Sequence, residues 1–266
     1  MSADPWVSEG LRLLRAESEG LLADLRALAP ADWAQPSNCP PWDVAMLVAH
    51  VTSGAEFHYS SVERGLAGQQ TPAASREERL ASTAALAAAG PARMIAVLEA
   101  NTDYFEALFD RLDAAQLDTL AFHHHGLRPA RWFLAHRLAE VVFHRWDVQA
   151  SLGRAGWVSD AAVGYFLPIM LEVNLPVLYT RGARGRGRLR LQTREQPPRA
   201  WLVQADGTAL RATPDGAADA PSVTLGPGDL GLLVYGRLPL ATLIASGRAT
   251  ADPDAAALVP SLLGNP

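Results

Sequence analysis

The sequence predicts a mainly α protein with a small α+β domain at its C-terminal end, and three observations carry that reading. Apolar residues recur at helical spacing from Trp6 to about residue 178, strand-like segments follow from about residue 187, and an arginine-glycine stretch separates the two. At 266 residues the chain is long enough for two ordinary domains. The change of pattern puts the boundary between about 180 and 187, giving a helical bundle over 1–182 and an α+β domain over 183–266.

Taken in order, Leu11, Leu14, Leu21, Leu22, Leu25 and Leu28 form the stripe of a first helix that Pro30 stops. The segment PSNCPPWD is a turn, and Asp43 is placed to cap a second helix carrying His50 and an apolar face of Met46, Leu47, Val51 and Ala55. Residues 76–88 and 91–112 read as two helices broken at Gly90-Pro91, the second with Met94, Leu98, Tyr104, Phe105, Leu108 and Leu112 as its buried stripe. A loop with His123, His124 and His125 leads to a helix over about 129–151, which Gly153 and Gly156 end. In the next helix, about 159–178, Pro168 and Pro176 are expected to kink or stop the chain. LRLQT, AWLVQA and TALRAT suit strands, with Asp206-Gly207 as a hairpin signal between the last two. SVTL follows, then helical DLGLLVYG and LPLATLIASG and a last helix near 253–264.

Composition narrows the chemistry. The net charge of −5 argues against a general nucleic-acid binder. The six arginines of RGARGRGRLRLQTR, at 181–194, read as a solvated linker running into a strand. Because all 23 basic residues are arginine, Schiff-base chemistry, an internal pyridoxal aldimine and a Walker A loop are excluded. The single cysteine, Cys39, excludes an internal disulfide and a thiolate cluster, so a metal site must be built from histidine and carboxylate. No apolar stretch suggests a membrane span of roughly 18–20 residues, and MSADPWVSEG lacks signal-peptide character, so a cytoplasmic protein without a membrane partner is expected.

In AEVVFHRWD, Glu140 stands four residues before His144, so both project from one helical face. If that face meets His50 inside a bundle, two imidazoles and one carboxylate surround an open coordination position, the pattern of catalytic zinc. The same spacing also fits a solvated polar contact, and spacing alone leaves both readings open.

Three segments carry a resemblance. NCPPWDVAMLVAHV at 38–51 resembles the C-x-x-W-x-x-x-x-L-x-x-H segment of the DinB-like mycothiol-dependent maleylpyruvate isomerase family, and RLAEVVFHRWDV at 137–148 resembles its E-x-x-x-H-x-x-D segment. The run from Leu225 to Ala256, Tyr235-Gly236-Arg237 above all, is similar to the sterol-carrier-like domain that ends these proteins. The resemblance implies a DinB-type four-helix bundle followed by a small sterol-carrier-like α+β domain. It further implies a divalent metal, zinc by preference, on His50, Glu140 and His144, and mycothiol or another small thiol as cosubstrate. A metal-bound thiol is deprotonated, and its thiolate would attack a small electrophilic substrate, giving cis-trans isomerisation or S-transfer. Arg237 is implied near the active site, where it can clamp a substrate carboxylate, or else it forms an ordinary salt bridge.

Asp147, three residues after His144, can orient a ligand imidazole or be a helix-surface carboxylate. His136 reads as a core or surface histidine, His123 to His125 as an exposed polar loop, His58 as structural, Trp42 as packing behind the turn and Cys39 as a small buried apolar residue. Two other functions compete: a non-haem iron thiol oxygenase, which also uses two histidines and a carboxylate, and a non-catalytic small-molecule-binding protein.

Overall fold

The computed structural model describes residues 4–154, 156–182, 185–214 and 219–263. Ala183 and Arg184 of the arginine-rich segment and Gly264, at the expected end of the last helix, lie outside the described residues. Two compact units form, Met1–Trp157 and Val158–Pro266.

The first unit contains α1 (Pro5–Arg26), α2 (Val44–Leu66), α3 (Arg76–Ala88), α4 (Pro91–Asp110), the short α5 (Ala114–Leu117), two-residue strands β1 (Leu120–Ala121) and β2 (Arg128–Pro129), and α6 (Ala130–Ser151). Packing runs in a closed ring, α1 on α4, α4 on α2, α2 on α6 and α6 back on α1, which makes a four-helix bundle with α3 laid against α2. Helix ends follow the local chemistry: Asp43 Oδ1 accepts from Met46 N at 2.7 Å to start α2, and Ser75 with Glu78 forms a capping box at α3. Helix α6 is buried on almost every side, with Phe133, Leu134, Leu138, Val141 and Val142 in the core. Tyr104 does not join the α4 core stripe; it is exposed and its hydroxyl donates to Glu63 Oε1 at 2.5 Å, while Asn101 faces inward and donates to Thr52 O.

The second unit opens with one long helical segment: α7 (Asp160–Ile169), a π turn over 170–174 and α8 (Leu175–Arg181). Pro168 and Pro176 do not stop it: Gly164 O, which Pro168 leaves without a helical donor, accepts from Arg199 Nη1, and Pro176 sits in the first turn of α8, where a missing N–H is tolerated. A mixed five-stranded sheet follows, of β3 (Arg186–Thr193), β4 (Ala200–Asp206), β5 (Leu210–Pro214), β6 (Ser222–Leu225) and β7 (Ala249–Ala251), in the order β5-β4-β3-β6-β7. Only the β3–β6 pair is parallel. Between β6 and β7 lie α9 (Pro227–Val234) and α10 (Leu240–Ala245), and α11 (Pro253–Leu262) closes the chain.

The division by packing comes earlier than the 182/183 expected from hydrophobic period. Trp201 Nε1 donates to Glu172 Oε1 at 2.9 Å, Arg199 Nη1 donates to Gly164 O at 2.8 Å, and Asp160 Oδ1 accepts from Gly228 N at 2.7 Å. These bonds attach 160–181 to the sheet and to α9. The same 22-residue segment, with a mean hydropathy of 1.6, is long and apolar enough to cross a membrane, contrary to the sequence expectation. One face of it is buried within the second unit, through Val163, Phe166, Leu167, Met170, Leu171 and Leu175, and 39 % of its most apolar window is buried.

The β4–β5 hairpin turns at Asp206-Gly207, where Gly207 takes φ +89° and Asp206 Oδ1 accepts from Thr208 N at 2.7 Å and Ala209 N at 2.8 Å. A Cβ at this φ is strained, so Gly207→Ala is expected to destabilise the chain by about 1 kcal/mol. Calorimetry should show Tm lowered by about 2–4 °C.

Candidate metal centre

Helices α2 and α6 bring His50, Glu140 and His144 together. His50 Nε2 lies 3.4 Å and His144 Nε2 3.5 Å from the same oxygen, Glu140 Oε2. These separations are long for N–H···O hydrogen bonds, whose usual length is about 2.9–3.0 Å. They match the edge of a tetrahedron with bonds of 2.0–2.1 Å, which is about 3.3 Å. One donor atom from each residue lies within 4.8 Å of the other two. The set is reachable from solvent, since the side chains of His50, Glu140 and His144 are 38 %, 23 % and 12 % exposed. The donor set therefore fits a divalent metal with room for an exogenous ligand.

The other face of His144 is held. Its Nδ1 donates to Asp147 Oδ2 at 2.9 Å, and Asp147 is buried. Cys39 Sγ donates to the same Oδ2 at 3.3 Å, and Asn38 Nδ2 donates to Asp147 Oδ1 at 3.2 Å. The turn preceding α2 thus reaches across to α6. Cys39 is half-buried and hydrogen-bonded there, not a small apolar residue in the core, because its thiol finds a carboxylate. Trp42 sets its ring 4.9 Å from that of His50 and forms one wall of the site.

Burial disfavours charge on Glu140, but the imidazoles of His144 and His50 facing its carboxylate outweigh it, holding the carboxyl well below its usual range. Burial likewise opposes the imidazolium of His144, yet Asp147, Cys39 and Glu140 together hold its pKa well above the usual histidine value. Arg137, one turn before Glu140, is fully buried, and its Nη1 donates to Val51 O at 2.7 Å; burial lowers its pKa to about 10. Nothing in spacing alone separated this arginine from a surface one, although its place in an apolar helix was the available signal.

Among the other histidines, His123 departs from the sequence expectation. His123 is not exposed. It sits at the tip of the β1–β2 hairpin with its ring turned inward, 1 % accessible, while His124 stays outside. His136 stacks on Trp132 at 4.3 Å and points Nε2 at Glu140 Oε1, 3.7 Å away. His58 is buried beside it. Arg237 belongs to the second unit, where Gly236 at φ +70° ends α9 and Arg237 Nη1 donates to Tyr235 O at 3.4 Å.

The family model for the mycothiol maleylpyruvate isomerase N-terminal domain matches residues 14–149. The chain belongs to this family. Among solved structures, a mycothiol-dependent maleylpyruvate isomerase is similar at 19 % identity and a TM-score of 0.65, with 92 % of each chain covered. A histidine-to-alanine mutant of such an isomerase is similar at 18 % identity with the same coverage and score. No curated protein matches by sequence. The likeness extends through both units and establishes the fold: a helical bundle followed by an α+β domain.

Removing the acceptor behind a ligand imidazole typically costs 10–100-fold in metal affinity. Asp147→Asn is therefore expected to weaken zinc binding by about that factor while the bundle keeps its helicity, as equilibrium dialysis and circular dichroism would show. Because ligation must displace the proton held on His144, zinc affinity should fall below the raised His144 pKa by up to about tenfold per pH unit. Dialysis across neutral pH checks that slope.

Proposed function

We propose that the chain is a mycothiol-dependent, zinc-containing isomerase of the cytoplasm, acting on maleylpyruvate or a similar small cis-unsaturated organic acid. The observation that carries this reading is the convergence of His50 Nε2 and His144 Nε2 on Glu140 Oε2 at 3.4 and 3.5 Å in a chain of this family. Zinc, when bound, supplies a Lewis acid that deprotonates a coordinated thiol at neutral pH.

The chain's own residues do the rest. His50, Glu140 and His144 would hold the ion, and their partial exposure would let a thiol reach it. Asp147 fixes the His144 ring through Nδ1, so that Nε2 faces Glu140 and His50. The thiolate adds to one carbon of the activated C=C bond, whose electron pair moves onto the conjugated carbonyl. Rotation about the resulting single bond and departure of the same thiolate restore the double bond in the trans form, so thiol and metal are unchanged over the cycle. The resemblance of Tyr235-Gly236-Arg237 to the family's C-terminal domain is what supports Arg237 as a bidentate partner for a substrate carboxylate.

The test is metal content beside turnover. About one equivalent of zinc in His50, Glu140 and His144 and thiol-dependent isomerisation of maleylpyruvate are expected for the parent, with both lost in Glu140→Gln. Turnover that persists after this site loses its metal would sink the mechanism. Arg237→Lys should raise KM for the diacid by about 10-fold or more while metal content stays unchanged, since losing a charge-assisted bidentate contact costs about 1.5–3 kcal/mol.

A further inference from the structure

Two turns along α2 from His50 stands His58, and one turn before Glu140 on α6 stands His136. The β1–β2 hairpin places His123 between them. Ring centroids are 5.1 Å apart for His58 and His136, 5.2 Å for His123 and His136, and 6.3 Å for His58 and His123. One ligand-capable nitrogen from each lies within 4.8 Å of the other two. On every one of the three rings a buried nitrogen has no hydrogen-bond partner: His58 Nδ1, His123 Nε2 and His136 Nδ1. Three converging imidazoles with one orphaned nitrogen each form a donor set without a recipient, since buried polar atoms are otherwise paired.

We propose that His58, His123 and His136 form a second metal-binding site, for a divalent late first-row transition ion of the zinc class, adjoining the first site across Glu140. Three neutral imidazoles are a zinc-type set. The surroundings supply the supporting contacts. The remaining nitrogen of His136, Nε2, faces Glu140 Oε1 at 3.7 Å, close enough for charge attraction but beyond hydrogen-bond length. Trp132, Phe133 and Phe57 pack around the rings and fix their orientation. Ligation through His123 Nε2 moves that ring's proton to Nδ1 and gives up a weak 3.3 Å hydrogen bond from His125 N. Glu140 then has one oxygen toward each cluster, Oε2 toward His50 and His144 and Oε1 toward His136.

This site stands apart from the isomerase reading, and its test counts ions without assaying turnover. The full chain, stripped with chelator, is titrated with Co2+ while visible d–d absorption is followed, and a parallel sample loaded with Zn2+ is analysed by elemental mass spectrometry. About two ions per parent chain are expected. His123→Asn and His50→Ala should each retain about one, and the double variant none. A parent chain that saturates at one ion overturns the proposal, and so does a His50→Ala chain that binds none. Loss of the second ion in His124→Ala/His125→Ala, with His123 intact, would place it on the hairpin surface and also overturn the site. If His123→Asn does not fold, the cobalt titration of the unsubstituted chain decides alone.

Discussion

The carboxylate of Glu140 is the group that the first unit must accommodate, and much of the bundle's arrangement follows from it. Taking an ionised carboxylate out of water costs several kcal/mol unless partners replace the lost solvation. Here those partners come from two helices, His144 on the same helix and His50 on the facing one. A site assembled across two helices works only if their register holds to about half an ångström. Burial of α6 on nearly all sides provides that rigidity, and Arg137 adds a direct bond from α6 to the α2 carbonyl of Val51, next to His50.

The turn before α2 completes the arrangement. It is closed by backbone bonds from Ser37 N to Trp42 O at 2.9 Å and Val44 N to Gln35 O at 3.0 Å, and Asp43 starts the helix. One short segment therefore launches the helix that carries His50, walls the site with Trp42, and uses Asn38 and Cys39 to hold Asp147. Asp147 orients His144 while the turn holds the carboxylate in place, Asn38 on Oδ1 and Cys39 on Oδ2. The cysteine of the C-x-x-W segment thus acts through the carboxylate behind a proposed ligand histidine.

What was legible in the sequence divides along physical lines. Helical period and capping chemistry located α1, α2, α4 and α6, because an apolar face buried over several turns leaves a repeating signal. The juxtaposition of His50 with Glu140 and His144 needed the family resemblance, since the i,i+4 spacing concerns one helix and says nothing about which neighbour it meets. The inward turn of His123 left no trace, because β1 and β2 are two residues each, too short for any alternation to register. The domain limit was displaced for a related reason: a helix carries the same period whether it packs on a bundle or on a sheet, and only the bonds from Trp201, Arg199 and Gly228 reveal which.

Charge bookkeeping at the first site shows why an anionic ligand suits it. Two carboxylates, Glu140 and Asp147, stand against the His144 imidazolium and the buried Arg137 guanidinium, a formally neutral set. Exchange of the His144 proton for a divalent ion leaves one net positive charge in a region where burial makes charge expensive. A neutral water in the open position leaves that charge standing; a thiolate cancels it. If the proposed ion is held there, the same count favours a carboxylate at position 140 over a third histidine. With an imidazole at position 140 the set would carry two positive charges after metal binding, and one thiolate would no longer neutralise it. Under the proposed metal binding, the residues packed around His50, Glu140 and His144 favour an anionic ligand, a thiolate among them.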